Sequence, residues 1–314
     1  MSVILVTGGG GFIGSHIVEA LLDRGDSVRV LDNFSTGRRE NIEHFAGRIE
    51  MIEGDLRDEA TLRRAVDGCD YVFHEAALPS VPRSVEDPHL SHDVNVNGTV
   101  SLLMACKERG VKRIVLASSS SVYGDSPGFP RREDQQLWPL SPYAAGKVAL
   151  EAYARSFANV YNLETVCLRY FNIFGPRQNH KSQYAIAIPS FITRILSGQQ
   201  PIVYGDGKQS RDFTYVENAV HANLLALVAD GVSGEAFNVG CGDRITLNRI
   251  IGIINKFLGT DIKPHYSDPR PGDVRRSQAD IEKARKMLGY EPKVTFEDGL
   301  RRTIEWYRRT VIKA

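Results

Sequence analysis

Residues 3–14 read VILVTGGGGFIG. Val3–Val6 is a wholly apolar, β-branched run, the composition of a strand covered on both faces. It stops at glycine. Phe12, Ile13, Ile17, Ala20 and Leu21 then recur at helical spacing as far as Gly25. A strand that turns through glycines straight into a helix is the first half of a βαβ unit. Gly8, Gly11 and Gly14 stand at G-x-x-G-x-x-G spacing. In such a turn one glycine makes the tight bend, one lets the backbone approach a pyrophosphate, and one lets helix and strand touch. The helix N-terminus then presents free N–H groups and a positive dipole end to the phosphates.

The next segments extend the pattern. Val28–Leu31 reads as a second strand, and Asp32 at its end lies 21 residues after Gly11. A carboxylate there accepts hydrogen bonds from the ribose hydroxyls of an adenosine and repels a 2′-phosphate, so NAD is the expected cofactor rather than NADP. Arg38 and Arg39 come several residues too late to displace Asp32. Asp55 and Leu56 follow a third strand, Ile49–Ile52, where they would border the adenine; Asp55 suits a helix cap equally well. Tyr71–Phe73, Arg113–Ala117 and Thr165–Leu168 read as further strands, and Val94–Arg109 and Tyr143–Val160 as helices. This alternation predicts an α/β chain with a doubly wound parallel sheet.

After Gly175 the pattern loosens, and proline, glycine and short helices dominate from Pro176 to Gly207. Phe213–Val216 and Ala236–Val239 read as strands, and Val220–Val228, Leu247–Leu258 and Phe296–Val311 as helices, the last carrying Leu300, Ile304 and Trp306 on its apolar side. The expected division is a dinucleotide-binding domain over residues 1–175, with segments near 211–240 returning to it. A smaller α/β domain over 176–314 packs against it and binds the substrate across a cleft.

Composition narrows the function. The 39 basic and 38 acidic residues leave a formal charge of +1, without the basic stripe of a nucleic-acid binder. Cys69, Cys106, Cys167 and Cys241 are scattered, with no ligand spacing and no disulfide framework, so neither a metal nor an oxidising compartment is expected. His89 and His92 lack carboxylate partners in a ligand pattern and read as surface residues. The N-terminal apolar run ends at the glycines, which makes it a strand and not a signal peptide. No run approaches the roughly 20 apolar residues of a membrane span. A cytoplasmic enzyme of small molecules is expected.

Tyr143 and Lys147 form a Y-x-x-x-K pair, which on a helix points both side chains to one face. Ser141-Pro142 starts that helix, and Ser118–Ser121 close the preceding strand. A phenol ordinarily at about 10 is drawn down by a neighbouring ammonium and by an oxidised nicotinamide. It can then take a proton from a sugar hydroxyl while hydride leaves the same carbon.

TGGGGFIG, SSSSVYG, SPYAAGK, LRYFNIFGP, GDGKQSRDF and RPGDVRRSQAD occur in this order over nearly the whole chain. Together they resemble the extended short-chain dehydrogenase/reductases, Rossmann-like enzymes that include the UDP-glucose and UDP-N-acetylglucosamine 4-epimerases. The resemblance implies that Ser119, Tyr143 and Lys147 are catalytic, with Tyr143 the base and Lys147 holding the nicotinamide ribose. It implies cofactor contacts at Phe12, Ile13, Asn33, Ser35, Thr36, Gly37, Ala76, Ala77, Tyr170 and Phe171, with Leu78 lining the same path. It places Asn172, Arg211, Arg270, Asp273 and Ser277 on the nucleotide sugar, the arginines suiting a diphosphate through their fork of donors.

Related 4,6-dehydratases carry Asp-Glu where this chain has Ser120-Ser121, and related decarboxylases carry Glu at the position of Ser121. Neither acid is present, so both reactions are disfavoured. Glucuronate 4-epimerases share SSSSVYG but usually have threonine at the position of Asn172. The resemblance therefore implies NAD-dependent 4-epimerisation of a UDP-hexose, UDP-glucose/UDP-galactose and their N-acetylated forms. The alternative is a UDP-glucuronate 4-epimerase or another NAD-dependent nucleotide-sugar oxidoreductase or dehydratase. A small Ser277, where relatives can carry tyrosine, leaves room for a 2-acetamido group. The resemblance implies a homodimer in which the helices Val94–Arg109 and Tyr143–Val160 pair across a two-fold axis; their apolar faces suit packing on their own sheet equally well. A binding protein without turnover, or a dehydrogenase consuming added cofactor, are the rival classes.

Overall fold

A computed structural model of the chain describes residues 2–179, 187–269 and 275–310. Every predicted strand of the first half forms. These are β1 (Val3–Thr7), β2 (Ser27–Asp32), β3 (Ile49–Glu53), β4 (Tyr71–His74), β5 (Arg113–Ser119) and β6 (Glu164–Tyr170). With β7 (Glu235–Val239) they make one seven-stranded parallel sheet in the order β7-β6-β5-β4-β1-β2-β3. The chain winds outward from β1 in one direction, then restarts at β4 and winds in the other, so a crevice opens at the carboxyl ends of β1 and β4.

The strands are apolar on both faces because both are covered. Ile4, Val6, Val28, Val30, Val115 and Phe237 belong to one core cluster; Leu5, Leu31, Val72, Ile114 and Leu116 belong to the other. This is the period-two alternation of a pleated strand, here with a core on each side. On the first face lie α1 (Phe12–Asp23) and, from later in the chain, a helix at Val216–Val228; on the second lie α2 (Glu59–Val66), α3 (Gly98–Arg109) and α4 (Pro142–Tyr161). Truncating one such residue, Leu116→Ala for instance, removes a side chain with no exposed surface, a change that typically costs about 2–5 kcal/mol.

Two boundaries differ from the sequence reading. A π-turn, Asp93–Asn97, precedes α3, and in it Asn95 Oδ1 accepts from Leu78 N at 2.8 Å, so the widened turn ties the loop after β4 to the helix. The run Phe213–Val216 yields only a two-residue strand, Thr214–Tyr215, paired parallel with Ile173–Phe174. Val216 opens a helix instead, because Val216, Ala219, Val220 and Asn223 form its buried face; tertiary packing overrides the local β preference.

The later part of the chain adds α5 (Ala187–Leu196), the Val216–Val228 helix (α6), α7 (Leu247–Leu258), α8 (Glu282–Leu288) and α9 (Phe296–Thr310), with short two-stranded pairings between them. In α9 it is Tyr307, fully buried, that joins Leu300 and Ile304 in the core, while Trp306 is only partly covered. Among the described residues no helix is long and apolar enough to cross a membrane.

Candidate active site

The carboxyl ends of β1, β2, β4, β5 and β6 gather most of the expected residues. At the first turn Gly8 has φ +72°, and a Cβ there would lie 2.6 Å from the backbone nitrogen of Ala76. A Cβ on Gly14 would overlap the carbonyl of Gly8, so strand and helix meet with no side chain between them. Gly11 caps α1 without a side-chain bond, and the first turn, beginning Phe12-Ile13, carries no acid. The N–H groups at that N-terminus therefore meet no acid from their own turn, which suits an anion.

Asp32 is 8 % exposed, and its oxygens accept from Gly10 N at 2.8 Å and Phe34 N at 2.7 Å. Each oxygen keeps a second acceptor site for a ribose hydroxyl. Burial pushes this carboxyl up, and the two backbone bonds oppose the rise. The loop Asn33, Phe34, Ser35, Thr36, Gly37 wraps it closely: a Cβ on Gly37 would sit 2.9 Å from either oxygen. Asn33 donates to Asp55 at 2.8 Å, and Asp55 pairs with Arg57 at 2.9 Å, which holds its carboxyl well below the usual range. Asp58, not Asp55, caps α2, accepting from Ala60 N at 3.0 Å. Leu56 is buried beside it. These residues fit NAD: a cradle that a Cβ would fill, and a carboxylate with capacity to spare.

Ser141 starts α4, accepting from Ala144 N at 3.2 Å, with Pro142 behind it. That start sets the helix phase that turns Tyr143 and Lys147 toward β5. Lys147, 2 % exposed, donates to the carbonyl of Ala117 at 2.7 Å, and its Nζ lies 5.9 Å from the centre of the Tyr143 ring. Of the four serines, Ser119 is the one whose side chain lowers the Tyr143 phenol. Its Oγ also accepts from Ser121 N at 3.1 Å, whereas Ser118 donates to Glu151 at 2.5 Å.

The electrostatics differ from the expectation. Burial pushes the Tyr143 phenol up, the Ser119 side chain lowers it, and Glu75 raises it further. Burial also draws the Lys147 ammonium down to about 8. The ammonium is turned to the Ala117 carbonyl, and it is not among the groups that lower the phenol. An oxidised nicotinamide bound beside the phenol would supply a positive charge that lowers it.

Glu75 is the residue that sequence reasoning passed over. It follows β4, accepts from the Tyr170 hydroxyl at 2.8 Å, and burial pushes it to about 7 against the pull of Lys147. The signal was present: one charged residue in His74-Glu75-Ala76-Ala77, directly after an apolar strand. His74 beside it bridges Thr7 at 2.8 Å and Thr99 at 3.0 Å, and burial keeps it neutral, with its pKa at about 3.

On the far side, Tyr170 is 8 % exposed but the Phe171 ring is wholly inside the core. Only the backbone of Phe171 can meet a cofactor, and its N–H already donates to Val239 O at 3.0 Å. Asn172, at φ +39°, donates to the carbonyl of Asp212 at 2.8 Å. Arg211 lies in a short strand, Ser210–Arg211, and Ser277 brackets it: Ser277 N donates to Ser210 O at 3.0 Å, and Asp212 N donates to Ser277 O at 2.8 Å. Asn172, Arg211 and Ser277 are thus brought onto one hydrogen-bonded segment. Arg270 and Asp273 lie outside the described residues.

The model of the NAD-dependent epimerase/dehydratase family matches residues 4–240. The chain belongs to that family. The UDP-glucose 4-epimerase of Mycolicibacterium smegmatis is 40% identical over 310 residues, covering 97% of this chain and 98% of that protein. The UDP-N-acetylglucosamine 4-epimerase from Methanobrevibacter ruminantium, solved with UDP-N-acetylmuramic acid, superposes with a TM-score of 0.94 at 44% identity over 98% of both chains. The Thermus thermophilus UDP-glucose 4-epimerase, solved with NAD, gives 0.90 at 38% identity over 98% of this chain and 99% of that one. This epimerase/dehydratase chain is NAD-dependent, and its glycine turn and Asp32 have the shape and spare acceptor capacity for that cofactor. Among its described residues no group of three or more His, Cys, Asp or Glu is placed to hold a metal.

Proposed function

We propose that the protein inverts C4 of a UDP-hexose through a transient 4-keto sugar. The observation that carries this reading is the bond from Lys147 to Ala117 at the end of β5, which sets Tyr143 beside Ser119, with serines and not acids at positions 120 and 121. Bound NAD supplies a hydride acceptor that returns what it takes. Tyr143 receives the proton of the C4 hydroxyl as C4 loses hydride, and gives it back once hydride has returned to the other face. Ser119 hydrogen-bonds the same oxygen, which fixes it against the phenol. Lys147 holds the nicotinamide ribose. Asn172 and Arg211, with Arg270 and Asp273 from the same blocks, hold the UDP while the sugar swings about its diphosphate. No acid stands where water or carboxylate loss would need one, so the ring leaves as it came, inverted at one carbon.

Ser277 supports room for a 2-acetamido substituent, and the N-acetylhexosamine named for the 44% identical relative supports the same reading. The chain is proposed to act in the cytoplasm as a homodimer through α3 and α4. Their exposed Met104, Tyr153, Val160 and Tyr161 support that interface, and a monomer in sedimentation would overturn it.

The test supplies UDP-galactose, UDP-N-acetylgalactosamine and UDP-galacturonate without added NAD. Chromatography is expected to show inversion of the first two. Inversion of the uronate alone moves the reading to a UDP-glucuronate 4-epimerase. Turnover of UDP-galactose without the N-acetylated sugar removes the Ser277 argument. Stoichiometric consumption of added cofactor, or no inversion at all, sinks the proposal.

A further inference from the structure

Tyr143, Lys147 and Glu151 recur every four residues along one face of α4. The first two are accounted for above; the third is not. Glu151 Oε1 accepts from Ser118 Oγ at 2.5 Å and from Arg169 Nε at 2.9 Å, and Oε2 accepts from Arg169 Nη2 at 2.7 Å. Both partners of the ion pair are buried, with side chains 9% and 5% exposed. In the ladder between β5 and β6, Ser118 stands opposite Arg169, and the next rung is Ser119 opposite Tyr170. Glu151 therefore ties α4 to both strands at the rung immediately before the functional one.

The tie continues. Arg169 Nη1 donates to the Tyr123 hydroxyl at 2.8 Å, and that hydroxyl donates to Asn238 Oδ1 at 2.7 Å. Asn238 Nδ2 donates to the carbonyls of Arg131 and Asp280, each at 2.9 Å. Arg131 N donates to Gln278 O at 2.9 Å, and Asp280 N donates to Arg131 O at 2.8 Å. The path ends on the stretch that holds Ser277.

A buried ion pair adds little net stability over a well-packed apolar pair, because desolvating two charges offsets their attraction. Position is what this one supplies. We infer that Glu151 is a positioning residue for the reaction: its carboxylate fixes Ser119 and Tyr170 relative to Tyr143 and Lys147, and links that arrangement to the stretch around Ser277. The inference rests on the proposed 4-epimerase reading.

The test compares wild type, Glu151→Gln, Ser118→Ala and Glu164→Gln. Glutamine keeps an acceptor for Ser118 but loses the charge and one bond to Arg169. A misplacement near 1 Å is enough to cost about 100-fold, so Glu151→Gln is expected to lower kcat by about 30–100-fold with KM within about threefold. Ser118→Ala should lower kcat by about fivefold. Glu164→Gln cuts the pair at the other end of the same strands and should leave kcat within about twofold. Full kcat in a folded Glu151→Gln, or a loss confined to KM, overturns the inference. If Glu151→Gln fails to fold, unchanged kcat in Ser118→Ala overturns it. Amide exchange over residues 117–122 reads the same clamp without turnover. Faster exchange in Glu151→Gln or Ser118→Ala than in Glu164→Gln supports the inference, and equal exchange overturns it even if no UDP-sugar is inverted. Absence of inversion by wild type sinks the functional reading separately.

Discussion

Two arginine–glutamate pairs sit at opposite ends of β5 and β6. At the amino end, Arg113 binds Glu164 at 2.7 Å and also donates to the carbonyls of Ala226 and Leu227, each at 2.9 Å. It closes the end of α6, and its carboxylate partner is 49% exposed. At the carboxyl end, the Arg169 and Glu151 side chains are almost wholly covered, and their remaining bonds run to Ser118, Tyr123 and the carbonyl of Glu133. The same two residue types close a helix end in one place and locate reacting groups in the other. The neighbours set the difference: in a doubly wound sheet the crevice lies outside the carboxyl ends. What surrounds an ion pair, more than its length, tells what it is for.

The sharpest way to break this contrast is at the reacting phenol. Tyr143→Phe is expected to lower turnover by at least about 1,000-fold, since general acid–base transfer contributes about 10²–10⁴. Bound NAD and the melting temperature should hardly change; residual inversion above a tenth of wild type would remove Tyr143 from the chemistry. Glu151→Gln should come next, as argued above.

Glu75 gives a pH test. Burial raises its carboxyl from the ordinary 4.5 to about 7 in the folded protein. Between those values the folded state holds more protons than the unfolded one, so this group makes stability fall as pH rises through that window. Glu75→Gln should flatten the slope, which urea unfolding at about pH 5 and about pH 7.5 would measure. An unchanged slope would mean that Glu75 is not protonated in the fold. The smallest effect belongs to Glu164→Gln. Half-exposed pairs contribute under about 1 kcal/mol, and Arg113 keeps its two carbonyl bonds. A larger loss by thermal melting would show that the amino end is also tightly specified.

The legible parts of this molecule are local ones. Gly8, Gly11, Gly14 and Asp32 announce a dinucleotide because the turn, the helix and the second strand lie within about 30 residues. Tyr143 and Lys147 share a helix face by spacing alone. Glu75 escaped because its partner Tyr170 lies 95 residues away, and a carboxylate after a strand has many uses. The Glu151 clamp escaped likewise, its partners Ser118 and Arg169 being 33 and 18 residues distant. The resemblance carries Phe171 to the cofactor together with Tyr170, and a block match does not tell that the Phe171 ring is wholly buried in the core. The strand read over Phe213–Val216 shortens to Thr214–Tyr215 because the following helix needs Val216 for its own buried face.

The sheet's last strand has a consequence for synthesis. β6 gains its outer neighbour only when Glu235–Val239 pairs with it, some 65 residues after β6 itself is complete. Until then the nascent chain carries an unprotected row of N–H and C=O groups, the kind of edge that recruits strands from other molecules. A fragment ending near residue 175 would carry that open edge permanently.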